Sequence, residues 1–339
     1  MKLSLSLQDT NVLKGIALLL LLVHHCLYTG EDYNDIVIHG HPIFQNIGEF
    51  SKLCVALFVF LSGYGLTAKT MKDGGIGDLW SFYRHRYLKL MLNYWVVYLI
   101  FVPIGILFFH RTFPVVYGEN WWFKAIVDFL GLYKALLNNF YGYNATWWFF
   151  GVIIILYLLF PLLWKYKQFW YMMVPFAVMC PTVASFIPFF GPSDFGSFLL
   201  AFVCGFAFAY EQPKLGGAKL MEKLLLLLIF FLSCLFRFYA WNPCVWDAAI
   251  ITFGLVLYAM ITVPKWVAKS LSFLGHHSYN IFLFHTFIYY YYLHELVYWS
   301  CNPVIITITL LLVCVFISMM IERLKLIGGW FPKLQKILA

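Results

Sequence analysis

The chain is short of charge. Of its 339 residues only 11% are Asp, Glu, Lys or Arg, and 63% are hydrophobic. A soluble domain carries about 25% charged residues, so this chain has little to present to water. It also lacks any polar stretch long enough to fold as a separate soluble domain, any low-complexity segment and any repeat between its halves. Its eight cysteines (26, 54, 180, 204, 234, 244, 301 and 314) form no C-x-x-C pair and no zinc spacing. That pattern reads as small apolar packing residues; Cys244 and Cys301, near one membrane face, are the pair that could form a disulfide. The net charge of +8 does not argue for a nucleic-acid partner, because in so apolar a chain the position of each cation matters more than the sum.

What is present is a succession of apolar runs of about 20 residues, the signature of an all-α, polytopic membrane helix bundle. About ten transmembrane helices can be drawn, at 12–29, 50–68, 88–109, 146–164, 169–188, 194–211, 220–238, 244–263, 277–298 and 303–321. The whole of 1–339 reads as one membrane domain. The first run lacks a small-residue cleavage site and opens a series, so a retained helix is expected, not a signal peptide. With a cytoplasmic N-terminus, 18 of the 23 Lys and Arg residues fall inside. The positive-inside rule then places both termini in the cytoplasm of a multi-pass protein.

Two outer segments stand apart. Loop 29–49 holds Glu31, Asp32, Asp35, His39, His41 and Glu49 but no Lys or Arg; it reads as a mobile acidic loop, and the spacing of its histidines and Asp32 is too weak to predict a metal. Segment 110–145 places Lys124, Asp128, Lys134 and Asn138 near one helical face, which suggests an interfacial helix or one packed on the bundle. Asn144-Ala145-Thr146 is a formal glycosylation sequon, read as a chance match at the membrane edge.

The first span carries the chemistry. In "VLKGIALLLLLVHHCLY", Lys14 and His25 are eleven residues apart, so they lie about 20° apart around a helix and roughly 16 Å apart along it. His24 lies about 80° away. Ionisable groups within spans are costly and usually face a cavity or a partner, and histidine exchanges protons near neutral pH. Against this, a Lys near a helix end also snorkels, and an outer His can simply reach water. Both readings stand on the residues alone.

"LKGIALLLLLVHH", with a basic residue, ten intervening residues and a His, resembles the first helix of the acyltransferase 3 family of membrane acyltransferases; Lys14 replaces the usual Arg and loses its planar fork. "LFVFLSGYGLT" is similar to the family's aromatic SG-[FY] segment, with Ser62, Gly63 and Tyr64. "FYRHRYLKLMLNYW" is similar to the basic start of its third helix, "TWWFFGVIIILYLLFP" to its fourth, and "SYNIFLFHTF" to a later Tyr-x-x-aliphatic-x-x-His segment. The resemblance runs over about residues 10 to 321. It implies transfer of an acyl group, usually acetyl, from cytoplasmic acyl-CoA to a hydroxyl of an envelope glycan or lipid-linked sugar, in a bacterial cytoplasmic membrane. His25 would be the catalytic base, Arg84, Arg86 and Lys89 would hold the CoA phosphates, and Lys14, the second residue of the catalytic pair, would join those cations or neutralise charge lower in the tunnel. Asp32, Trp148 and His285 are further substrate-site candidates.

Bland roles remain for several of these. Arg84, Arg86 and Lys89 could serve topology only, Trp147 and Trp148 could anchor at the interface, and Ser62 and Gly63 fit close helix packing best. His285 fits a structural hydrogen bond as well as an active-site role, and His276 and His277 read as surface residues. No metal is expected, and oligomeric state is not legible. The competing reading is a transporter that exports a glycan or acylated intermediate, although the paired, broken segments common in transporters are not found.

Overall fold

The computed structural model describes residues 4–137, 142–184, 194–212, 220–239, 243–329, 331 and 333–334. Among these the regular structure is helical apart from one small hairpin, Val37–Ile38 paired with His41–Pro42. The helices used below are α1 (Leu7–Leu27), α2 (Leu53–Lys72), α3 (Leu79–Phe108), a short helix α4 (Trp121–Phe129), α5 (Trp148–Lys165), α6 (Trp170–Ala184), α7 (Asp194–Glu211), α8 (Leu220–Tyr239), α9 (Pro243–Met260), α10 (Lys265–Thr286) and α11 (Pro303–Leu326). Among the described residues five helical stretches are long and apolar enough to cross a membrane: Leu7–Leu27, Ile43–Lys72, Leu79–Phe108, Ala145–Lys165 and Pro303–Leu326. Shorter apolar stretches, Phe198–Glu211 and Cys244–Met260, lie in two further expected spans. The end of the expected span 169–188 and Asn138 lie outside the described residues, as do Lys2, Lys214, Lys219 and Lys336 from the count of cations.

Boundaries differ from the hydropathy reading where polar residues extend a helix. The third helix begins at Leu79, nine residues before the apolar run, because the Asp78 carboxylate accepts from the Ser81 amide at 2.7 Å and caps it. The ninth expected span, 277–298, begins instead at Lys265 and passes after Thr286 into a π-helical turn, Phe287–Tyr292.

The chain divides into two compact units. The first comprises residues 1–20, 50–76 and 159–276. Here glycines let backbones meet: a Cβ on Gly63 would strike the Phe202 carbonyl, and one on Gly205 the Phe60 carbonyl, so α2 and α7 lock reciprocally. The SG-[FY] segment thus packs helices, as its small residues suggest. Gly15 meets Leu271 and Gly275 meets Asn11 in the same manner, seating α1 on α10. Arg237 pairs with the buried Asp247 between α8 and α9.

The second unit comprises residues 21–49, 77–158 and 277–339. Its core is aromatic. Tyr94 meets Trp147 and Phe150 edge-on with centroids 4.7 Å apart, and Phe101 stacks on Phe284 and Phe287 at 5.2 and 5.1 Å. Helix α4 turns part of its polar face inward. Trp121, Trp122, Phe123 and Ile126 are exposed, whereas Asp128 is buried and accepts from the Tyr117 hydroxyl (2.6 Å) and the Tyr143 amide (2.7 Å). Two donors make burial of that carboxyl tolerable, and the apolar side is left outward. The sequon is closed to modification in this fold, since Asn144 is wholly buried and accepts from Thr146. All eight cysteines are free thiols, so Cys244 and Cys301 are not bridged.

Candidate active site

Helix α1 runs unbroken from Leu7 to Leu27, so Lys14 and His25 keep the helical register that their spacing implies. Lys14 lies in the first unit and His25 in the second. Leu18, Leu21 and Leu22, between them, are buried. The two adjacent histidines share a ring contact with Tyr28 but differ in hydrogen bonding. His24 places Nδ1 2.9 Å from the Gly48 carbonyl, tying α1 to the short helix Ile43–Ser51. His25 instead meets side chains: its Nδ1 is 3.1 Å from the Tyr289 hydroxyl, and its ring lies 4.8 Å from that of His285.

His285 is fully buried in the last turn of α10. Its Nδ1 lies 3.0 Å from the carbonyls of both Ile281 and Phe282. The next carbonyl, of Leu283, accepts from Trp147 Nε1 at 2.9 Å and Asn144 Nδ2 at 3.4 Å. Three successive carbonyls therefore take side-chain donors where the helix widens into its π turn, a distortion often found at functional sites. That turn carries Tyr289 and Tyr291, and the Arg111 guanidinium lies 3.7 Å from the Tyr291 ring centre. The structure thus joins His25 and His285, two of the sequence-derived candidates, with Tyr289, which the sequence reading passed over. Tyr289 follows His285 by four residues, and that helical spacing was the available signal.

The other candidates spread along the second unit. Arg84 and Lys89 are exposed and Arg86 half-buried in the first turns of α3, with Arg86 5.6 Å from the Phe82 ring centre. Along the helix, Arg86 lies about 22 Å from Phe101, which packs on Phe284 and Phe287, the residues flanking the turn of His285. Trp148 opens α5 and is half-buried; its neighbour Trp147 is the one inserted against α10. Asp32 is exposed and 3.5 Å from His294 Nε2. The acidic loop is pinned: Asp35 caps the helix from Ile43 by accepting from the Phe44 and Gln45 amides, and the Tyr33 hydroxyl donates to the Leu27 carbonyl. His277, expected at the surface, is buried with Nδ1 2.9 Å from Ser318 Oγ, while His276 is exposed. Among the described residues no three His, Cys, Asp or Glu side chains converge to hold a metal ion.

A family model for an acyltransferase domain, acyltransferase 3, matches residues 7–323. The chain belongs to the acyltransferase 3 family. No curated protein and no solved structure matches it. As a member of this family the protein is a membrane acyltransferase, and the segments that resembled the family's first, third, fourth and later helices lie on α1, α3, α5 and α10.

Proposed function

We propose that the protein moves an acyl group, acetyl in the simplest case, from acyl-CoA on the cytoplasmic side to a hydroxyl of an envelope glycan or lipid-linked sugar. The carrying observation is the position of His25, at the end of α1 with Nδ1 on the Tyr289 hydroxyl and its ring beside His285. In this reading His25 takes the hydroxyl proton as the oxygen attacks the thioester carbonyl. The tetrahedral oxyanion collapses, the C–S bond breaks, and the proton passes to the leaving thiolate. Arg84, Arg86 and Lys89 supply cations for the CoA phosphates, and the length of α3 between them and the histidines suits a donor with a long extended arm. Asp32 and Trp148 belong to the acceptor side in the same reading, with Lys14 lower on α1.

The cation distribution supports ten spans with cytoplasmic termini, and family membership supports a bacterial cytoplasmic membrane as the setting. The test is transfer of label from acetyl-CoA to endogenous acceptors in membranes holding equal amounts of wild type and His25→Ala. Loss of a general base lowers the rate by about 10²–10⁴-fold. A variant with undiminished transfer removes His25 from the mechanism. Glycan movement without donor consumption overturns acyl transfer in favour of export.

A further inference from the structure

Carbonyl oxygens only accept hydrogen bonds, so the contacts of His285 Nδ1 with Ile281 and Phe282 fix the proton on Nδ1. Nε2 then holds a bare lone pair. That atom is buried and has no hydrogen-bond partner among the described residues. An unmet buried acceptor costs free energy in the resting protein. Of the rings around it the closest is His25, with centroids 4.8 Å apart and planes inclined by 51°. An in-line N–H···N bond between two imidazoles puts their centres about 5 Å apart. The pair therefore has the spacing for that bond and lacks only the orientation.

We propose that His285 is a positioning residue for His25, whose Nε2 accepts an N–H of His25 once the His25 ring is protonated. This rests on the reading of His25 as the base. In the tautomer that this role requires, Nδ1–H of His25 donates to the Tyr289 oxygen, and Nε2 of His25 is the nitrogen that takes the hydroxyl proton. The ring becomes a cation and its Nδ1–H a stronger donor. A small rotation turns that N–H from Tyr289 to the waiting lone pair of His285. No proton is transferred to His285; the one on His25 Nε2 leaves with the thiolate. The bond exists only while His25 is charged, so it stabilises the transition state and not the resting complex. It raises kcat and leaves KM alone.

Two substitutions separate this role from a structural one. His285→Asn keeps an amide nitrogen near the Nδ1 position, able to serve the helix carbonyls, and removes the acceptor at Nε2. His285→Gln does the reverse, placing an amide oxygen near Nε2. With labelled acetyl-CoA as the varied substrate in membranes, Asn lowers kcat by about 10- to 100-fold, the worth of a charge-assisted bond, with KM within about two-fold. Gln recovers most of that loss. A structural role gives the opposite order, with Asn the more active, and that order, or unchanged kcat in both, overturns the proposal. His25→Ala is run alongside. If it is inactive while the order is reversed, only the role of His285 falls; if it is active, the reading of the base falls first.

Discussion

Helix α10 passes through two buried polar clusters within the second unit, and they are finished to different degrees. Around Asn280 the bonding is complete on the cation: Lys325 Nζ donates to Asn93 Oδ1 (2.6 Å), Glu322 Oε1 (2.8 Å) and Asn280 Oδ1 (2.9 Å), using its three protons. Asn280 Nδ2 in turn donates to Glu322 Oε1 at 2.6 Å and to Ser318 Oγ at 3.3 Å. Around His285, five residues on, one nitrogen is doubly engaged and the other is unmet. This network ties α3, α10 and α11 together, and its cation has no proton left to offer a substrate. An unfinished one holds a valence in reserve. The difference separates buried polar groups that build the fold from those available to chemistry.

The most severe way to break this comparison is Lys325→Met. Lys325 is 3% exposed, and removing it takes the cation from Glu322, which keeps the Asn280 amide as a donor, and from two amide oxygens. With the carboxylate partly open to water, losing the cation and its three hydrogen bonds costs about 2 kcal/mol, read as a lower unfolding midpoint in detergent, while transfer per folded molecule stays near wild type. If the variant is stable but inactive, the Asn280 cluster belongs to the chemistry and the contrast with His285 fails.

How far this was legible in the sequence follows from what each feature depends on. The stripe of Lys14 and His25 needs only helical geometry, and the separate fates of His24 and His25 follow from their angle on α1. Gly63 as a packing residue was likewise readable from small-residue logic. The Lys325 cluster was not, because Asn93, Asn280 and Glu322 come from three helices and meet only through packing. The orphaned nitrogen of His285 depends on the π turn, which apolar periodicity does not reveal. The burial of Asp128 was hidden for a related reason: its partners Tyr117 and Tyr143 lie outside its own helix and draw the polar side inward.

Asp128 sharpens the comparison with a smaller effect. It accepts two hydrogen bonds yet remains a buried carboxyl outside the membrane-spanning helices, and burial pushes it up to about 6 against the opposing pull of Tyr117 and Tyr143. Burial also holds the Tyr117 hydroxyl well above its ordinary range, so it stays a donor. Because the folded state binds this proton more tightly than the unfolded one, stability falls as pH rises from about 4 through about 6 and levels above that. Between pH 5 and 7 the loss is about 1 kcal/mol. Asp128→Asn removes that component, so thermal midpoints of the two proteins converge toward different slopes: wild type declining over this window, the variant flat. Equal slopes would mean the carboxyl is ionised throughout and better satisfied than its two donors imply.

His24→Ala has the smallest expected effect and the closest control, since His24 and His25 are neighbours with ring centres 4.9 Å apart. The bond it loses runs to a neutral carbonyl, that of Gly48. At a half-buried position such a bond is worth about 0.5 kcal/mol. The junction itself is held by close backbone approach, since a Cβ on Gly48 would lie 2.7 Å from the Leu27 carbonyl carbon. The helix pair therefore stays together without the imidazole. Acyl transfer should remain within about three-fold of wild type, far from the loss expected for His25→Ala. Were the two alanine variants equally inactive, the boundary between building and reacting groups would run through Gly48 instead of between the adjacent histidines.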